Sequence, residues 1–391
     1  MKGMRKAAPI AMIIGLNLAV IGPGRIPAAL AASPEFARTA GEWETLRDDR
    51  LEFKEIADLI HEYNNQVIQD QISYREYKGE NQDKISQDYY DAAEEIENRI
   101  TDPDPEEAGY AGAVSAALNS RIQAENLRKQ GDDNIEDGEI KRLGYLQTEA
   151  KLVKEAQERM IDYWTQTWQL QQTRTAWEEA KAALKSEEIK VQAGLSTREN
   201  LLSAQGKEQE AKAEIETAQS TLDLTRQQLC LMLGWPYGAQ VEICQVPEAD
   251  PEAVGRINLS EDVAKALDSS YDLKITGRRL ENARSSSARS SQEQTLKNQR
   301  EAAAGSVREA YDQLLLAKTN YESAIRSMST AENAYGSAQR KAQAGLLAAR
   351  ELETEKQSWE KANFEKQSAG LALLKAQIQY QWTVDGLASV T

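Results

Sequence analysis

Lys190-Val191-Gln192-Ala193-Gly194-Leu195 returns as Lys341-Ala342-Gln343-Ala344-Gly345-Leu346, five of six letters unchanged and 151 residues further on. Each copy stands between two long stretches without proline. A glycine between two helical patterns ends one helix in a left-handed turn and frees the chain to begin the next. The sequence therefore predicts two long helical hairpins with matching tips, produced by an internal duplication.

The limbs on either side support this. Upstream of Gly194, Tyr163, Leu170, Trp177, Leu184 and Val191 recur every seven residues, with Ile161, Trp164 and Trp168 as a neighbouring stripe, and Gly144 to Gln192 reads as one helix. Downstream, Leu201, Ala204, Glu208, Ala211, Ile215, Ala218, Leu222, Thr225, Leu229 and Met232 alternate by three and four. Eight of these ten are apolar, which makes a coiled-coil seam, and the alanines allow close helix approach. After Gly345 the last limb repeats the spacing with Leu352, Trp359, Ala362, Ala369, Leu373, Ala376 and Tyr380. All nine prolines fall outside 106–235 and 252–391, and those windows are rich in strong helix formers. The expected fold is all-α, elongated, and built from two duplicated antiparallel coiled-coil hairpins.

The halves also match further upstream, where Glu55-Ile56-Ala57-Asp58-Leu59-Ile60 resembles Asp262-Val263-Ala264-Lys265-Ala266-Leu267. The first half then carries about 56 extra residues before its tip, and these are expected within 80–143. Glu42 to about Ile100 reads as helix, broken at Thr101-Asp102-Pro103-Asp104-Pro105-Glu106-Glu107 before a second helix with an acidic first turn. The polar run from Gly131 to Gly138 reads as a solvated turn; the twelfth position from Asp132 is Leu143, not the glutamate of a calcium loop. Val241, Ile243 and Val246 suit a short strand or an irregular cap. Ser260 is expected to cap the helix opening the second half, and Ser285 to Ser291 to bend it.

Residues 1–32 have the form of a secretory signal, with Lys2, Arg5 and Lys6, an apolar run of roughly 16 residues and Ala29-Leu30-Ala31 as small cleavage-site residues. Ser33 to Gly41 reads as a flexible lead. The formal net charge of −16 becomes near −20 once the four basic residues of the leader are set aside, so the chain lacks the basic footprint that nucleic acid requires. The only cysteines, Cys230 and Cys244, permit a disulfide in an exported chain, although Cys230, within Leu229-Cys230-Leu231-Met232-Leu233, also reads as a core residue. The single histidine, His61, lies in a helical pattern, and no nucleophile motif, phosphate-cradling loop or metal-ligand cluster is present. Neither an enzyme nor a cofactor is expected.

The tandem halves, the long hairpins, the Gly-Leu tips and the Leu-x-x-x-Leu-Gly limb end at 229–234 resemble the TolC family of outer-membrane efflux ducts, over roughly 50–390. The resemblance implies domains of 1–32 (signal), 33–259 and 260–391 (two repeats). It implies a homotrimeric twelve-helix tunnel giving passive passage to substrates exported by an inner-membrane pump. The tips would meet a periplasmic adaptor through Gly194, Leu195, Ser196, Thr197, Asn200 and Leu201, and through Gly345, Leu346, Glu351 and Leu352. The family's aspartate six residues after the tip glycine is replaced by Asn200 and Glu351. A capping box, Ser196-Thr197-Arg198-Glu199, is expected at the first tip only. The family's β-hairpins have no counterpart: a spanning strand needs about 9–11 alternating residues, and neither 95–141 nor 275–311 offers them. No conventional barrel is expected. The alternative is an exported coiled-coil scaffold of the cell envelope without transport activity.

Overall fold

The computed structural model describes residue 43, residues 46–106 and residues 108–390. The leader expected over 1–32 and the lead over 33–41 lie outside the described residues. The first half runs through a two-residue strand β1 (Arg50–Leu51), then α1 (Ile56–Tyr63), α2 (Asn65–Tyr77), α3 (Gln82–Glu97), α4 (Tyr110–Asp132), α5 (Gly138–Gln192) and α6 (Arg198–Met232). A second short strand, β2 (Glu242–Ile243), and the single turn α7 (Pro251–Val254) lead into the second half. That half contains α8 (Leu259–Ser269), α9 (Tyr271–Asn282), α10 (Ser286–Gln343) and α11 (Ala349–Trp382), closed by a π turn over Thr383–Leu387. β1 and β2 pair in parallel, Leu51 opposite Ile243. They form the only sheet among the described residues, and no barrel is closed.

The chain is thus all-α, with α5–α6 and α10–α11 as the two long hairpins. At about 1.5 Å per residue, α5 and α10 are roughly 82 and 87 Å long. Their partners α6 and α11 cover only the part nearer the tip; α1–α2 and α8–α9 continue along α5 and α10 beyond them. The α6 seam is as the spacing predicts. All ten seam residues are buried or half-buried, and most of the positions between them face solvent. The polar exception, Glu208, accepts a hydrogen bond from Trp177 Nε1 at 2.7 Å. Leu229 is fully enclosed, worth about 1.5–3 kcal/mol against exposure.

The duplication extends to the corner of each half. Asn64 separates α1 from α2 with an extended backbone, and its side chain accepts from the Gln66 and Val67 N–H groups. Ser270 does the same between α8 and α9, accepting from Leu273 N–H. Each descending limb ends against its corner: Asn64 Nδ2 donates to Met232 O at 2.8 Å, and Ser269 Oγ to Val384 O at 2.6 Å. One core lies at each junction. The first joins Leu59, Ile60, Met160, Leu229 and Leu233; the second joins Ala266, Val307, Leu314, Leu373 and Tyr380. Cys230 belongs to the first core, where burial pushes its thiol pKa up, and both cysteines are free thiols.

Residues 78–137 connect α2 to α5 and hold the α3–α4 hairpin, whereas three residues, 283–285, connect α9 to α10. The extra length of the first half is therefore this one helical insertion.

Helix boundaries depart from expectation where local capping wins over composition. The 42–100 stretch is not one helix; strand, 3₁₀ turn and two caps divide it. Asp102, Asp104 and Glu106 of the expected break stay outside the helix, and α4 starts only after Gly109. Ser260 does not cap α8: its hydroxyl donates to Asn258 Oδ1, and helix begins at Leu259. The 285–291 serines do not bend a helix. Ser285 caps the start of α10 by accepting from Ala288 N–H, and the rest lie inside its first turns.

Candidate functional site

The two hairpins run side by side through α5 and α11. Lys375 Nζ pairs with Asp162 Oδ1 at 2.7 Å, and Trp382 Nε1 donates to Gln157 Oε1 at 2.8 Å. Going backward along α5 is going forward along α11, so these helices are antiparallel. Asp162 lies 32 residues before Gly194 and Lys375 lies 30 after Gly345. Both tips therefore point the same way and reach to nearly the same level.

Their backbones close identically. Gly194 and Gly345 have φ of +71° and +72°, the left-handed region that a β-carbon disfavours. Leu195 N–H donates to Lys190 O at 2.8 Å, and Leu346 N–H to Lys341 O at 2.9 Å. Gly194 and Gly345 donate to Val191 O and Ala342 O. This is the Schellman closure. Its usual apolar contact is missing, because the residue facing each leucine is a lysine. Leu195 and Leu346 stand 79% and 78% exposed.

Side chains make the tips unlike. At the first, Ser196 Oγ donates to Glu187, Asn200 Nδ2 donates to Ser196 Oγ at 3.1 Å, and Lys190 Nζ meets Glu187 Oε2 at 2.9 Å. The Ser196 hydroxyl and then the Lys190 ammonium hold the Glu187 carboxyl below its ordinary pKa. The expected capping box gives way to a single cap: Thr197, not Ser196, caps α6, accepting from Asn200 N–H at 3.2 Å. At the second tip Leu347 and Ala348 stand at the Ser196 and Thr197 positions. Ala348 offers no acceptor, yet its N–H donates to Glu351 Oε2 at 3.4 Å, half of a capping box that the sequence reading missed. Leu201 and Leu352 are half-buried beneath the tips, while Asn200 and Glu351 face solvent. The first tip is a tied polar cluster, and the second carries a freer carboxylate.

A second feature escaped the sequence reading. Among the described residues α6 and α10 make no extended contact with the opposite hairpin, so the layer runs α6–α5–α11–α10 with two open edges. Leu224 and Leu231 on α6 are 58% and 49% exposed, and Leu316 on α10 is 62% exposed. The seven-residue interval from Leu224 to Leu231 was the available signal, masked by the stronger seam beside it.

No family profile and no curated protein matches the sequence. Solved structures do match the fold, among them outer-membrane channels. The outer-membrane channel OprN matches with a TM-score of 0.53 at 11% identity, over 88% of this chain and 92% of that one. The Campylobacter jejuni outer-membrane channel CmeC matches at 0.51 and 10%, over 96% and 95%. The Vibrio cholerae outer-membrane protein VceC matches at 0.50 and 8%, over 89% and 99%. The chain has the helical fold of these channels along nearly its whole length.

Proposed function

We propose that this chain is a TolC-family efflux duct component, a homotrimeric α-helical tunnel of the cell envelope, exported through its 1–32 leader and repeated over 33–259 and 260–391. The observation that carries this reading is the four-helix layer with two unlike, leucine-bearing edges. An α6 edge cannot pair with itself and also satisfy α10. Joining α6 of one copy to α10 of the next satisfies both and generates a ring when the rotation closes. Three copies of a four-helix layer give a twelve-helix wall. The likeness to outer-membrane channels supports the same arrangement. Such a duct acts by offering a water-filled path; selectivity arises from its lining and from opening of the tips, and no chemistry is asked of its residues.

The purified chain is expected to be trimeric by light scattering at micromolar concentration, and Leu224→Asp with Leu231→Asp to be monomeric with unchanged helix content by circular dichroism. A wild-type chain that stays monomeric would sink the duct and favour the envelope scaffold.

With tips pointing one way, a trimer presents six Gly-Leu turns of two alternating chemistries to a periplasmic adaptor coupled to an inner-membrane pump. The exposed Leu195 and Leu346, with Gly194, Ser196, Thr197, Asn200, Leu201, Gly345, Glu351 and Leu352 around them, form the docking surface. Asn200→Ala is expected to weaken adaptor capture without lowering the melting temperature. Gly194→Val places a β-branched residue at positive φ, costing roughly 1–2 kcal/mol, and is expected to weaken hairpin and capture together. Equal loss of stability in both variants would remove the docking role of Asn200.

A further inference from the structure

The α3–α4 hairpin is held to the body only at its root. Gln82 Nε2 donates to Asn134 O at 2.5 Å and Asn282 O at 2.8 Å, and Arg284 pairs with Asp83. Beyond that root, α3 and α4 make their extended contacts only with each other. A two-helix hairpin of this length is marginal by itself, since most helix stability comes from burying an apolar face.

Helix α4 carries two such faces. Ala117, Ser120, Ala124, Leu127 and Gly131, at three-and-four spacing, turn toward α3 and are buried or half-buried. On another face Val114, Leu118 and Ile122 follow at intervals of four, all exposed, Leu118 at 55%. Residues 110–120 contain no charged side chain, in a chain that is 28% charged. Toward the root this face ends in Glu125 and Lys129, exposed and without an ion pair among the described residues.

Charge decides what covers the stripe. Residues 82–132 hold twelve acidic and five basic side chains, and Asp102 of the loop before α4 pairs with Arg121, the neighbour of Ile122 in the chain. Interfacial helices are rich in Lys and Arg and are drawn to anionic lipid; this hairpin is the reverse. The outer face of α3, with Asp88, Asp91, Glu94 and Glu95, also forbids α3–α3 contact between copies. Only α4 can meet another hairpin. Parallel α4 helices from neighbouring copies would bring Glu125 of one beside Lys129 of the next, as flanking charges do along a parallel coiled-coil seam.

We infer that the α4 helices of neighbouring copies pack on one another through Val114, Leu118 and Ile122, forming a helical neck at the end of the tunnel away from the tips. This rests on the trimeric reading above. Screening by salt relieves the acidic α3 faces, so the neck tightens as ionic strength rises.

The test uses the full chain with Cys244→Ser, Cys230 being enclosed. Leu118→Cys on α4 and Glu94→Cys on α3 are oxidised separately in the assembled protein. Leu118→Cys is expected to give a covalent dimer with one chain of the trimer left over, more so at high salt, and Glu94→Cys to remain monomeric in denaturing gels. A trimer by light scattering in which Leu118→Cys does not cross-link overturns the neck and leaves the duct standing. A chain that does not oligomerise removes both. Blue-shifted emission of an environment-sensitive dye on Leu118→Cys upon adding phosphatidylglycerol–phosphatidylethanolamine vesicles, without cross-linking, overturns the neck in favour of a membrane contact.

Discussion

Gly234→Ala is expected to destabilise the chain by about 3–5 kcal/mol, in the range reserved for strained or overpacked core sites. Gly234 closes α6 at φ +78°, with Trp235 N–H donating to Cys230 O at 2.9 Å. A methyl group there meets Tyr63 Cβ at 2.5 Å and Tyr63 O at 2.8 Å, closer than atoms can approach. The left-handed backbone alone costs an alanine roughly 1–2 kcal/mol. The remainder comes from moving Tyr63, which ends α1, carries the Arg47 guanidinium 3.6 Å above its ring and packs on the first core. Gly206→Ala is the control. Gly206 lies in the middle of α6 with nothing within 4 Å of a new β-carbon, so alanine there is expected to stabilise by about 0.5–1 kcal/mol. Thermal melts followed by helix signal separate the two; a Gly234→Ala melt as high as wild type would refute the close approach.

Asp137→Ala is expected to cost about 2–4 kcal/mol, combining a lost N-cap with buried hydrogen bonds left unmade. Asp137 is almost fully enclosed, and two helices converge on it. Its Oδ1 accepts from Ile140 N–H at 2.9 Å, capping α5; Oδ2 accepts from Asn282 Nδ2 at 2.9 Å and Arg278 Nε at 2.7 Å, both on α9. Burial works to raise this carboxyl's pKa, but Asn282, the Ile140 N–H and Arg278 outweigh it and hold it below the ordinary carboxylate range. A lowered folded-state pKa fixes the sign. The contribution is complete above the unfolded value of about 4 and disappears as pH falls through the folded one. Denaturant titrations of wild type and Asp137→Asn should therefore converge as pH drops from neutral toward and below that value. A gap constant with pH would mean that the ionised carboxylate contributes nothing.

Much of this architecture was legible because helical hairpins write themselves locally. The alternation of three and four from Leu201 to Met232 names the seam that α6 turns toward α5, including Glu208, whose half-buried carboxylate Trp177 explains. The two Gly-Leu phrases place both reversals, since positive φ and the closing hydrogen bonds are decided within six residues. Arithmetic on the matching segments located the insertion, because helices of fixed rise leave surplus residues only one place to go. Capping was less legible. Ser196, Thr197 and Ser260 all offer hydroxyls near helix starts, and which one caps depends on where the chain emerges from the turn before it. Glu351 serves a backbone N–H at a tip whose sequence lacks any hydroxyl.

By itself the sequence determined an all-helical duplicated chain, the span of its hairpins, their seams and the positions of their tips, because periodicity and turn-forming glycines act over a few residues. Tertiary structure alone decided the rest. It set the antiparallel contact of α5 with α11 that aims both tips one way, and the closure of each limb on the corners at Asn64 and Ser270. It joined Asp137 to Arg278 and Asn282 across more than 140 residues. It also determined which leucines were left over. The seam already names Leu222 as buried against α5, but only the placing of the other helices leaves Leu224 and Leu231 facing water on the open edge of α6.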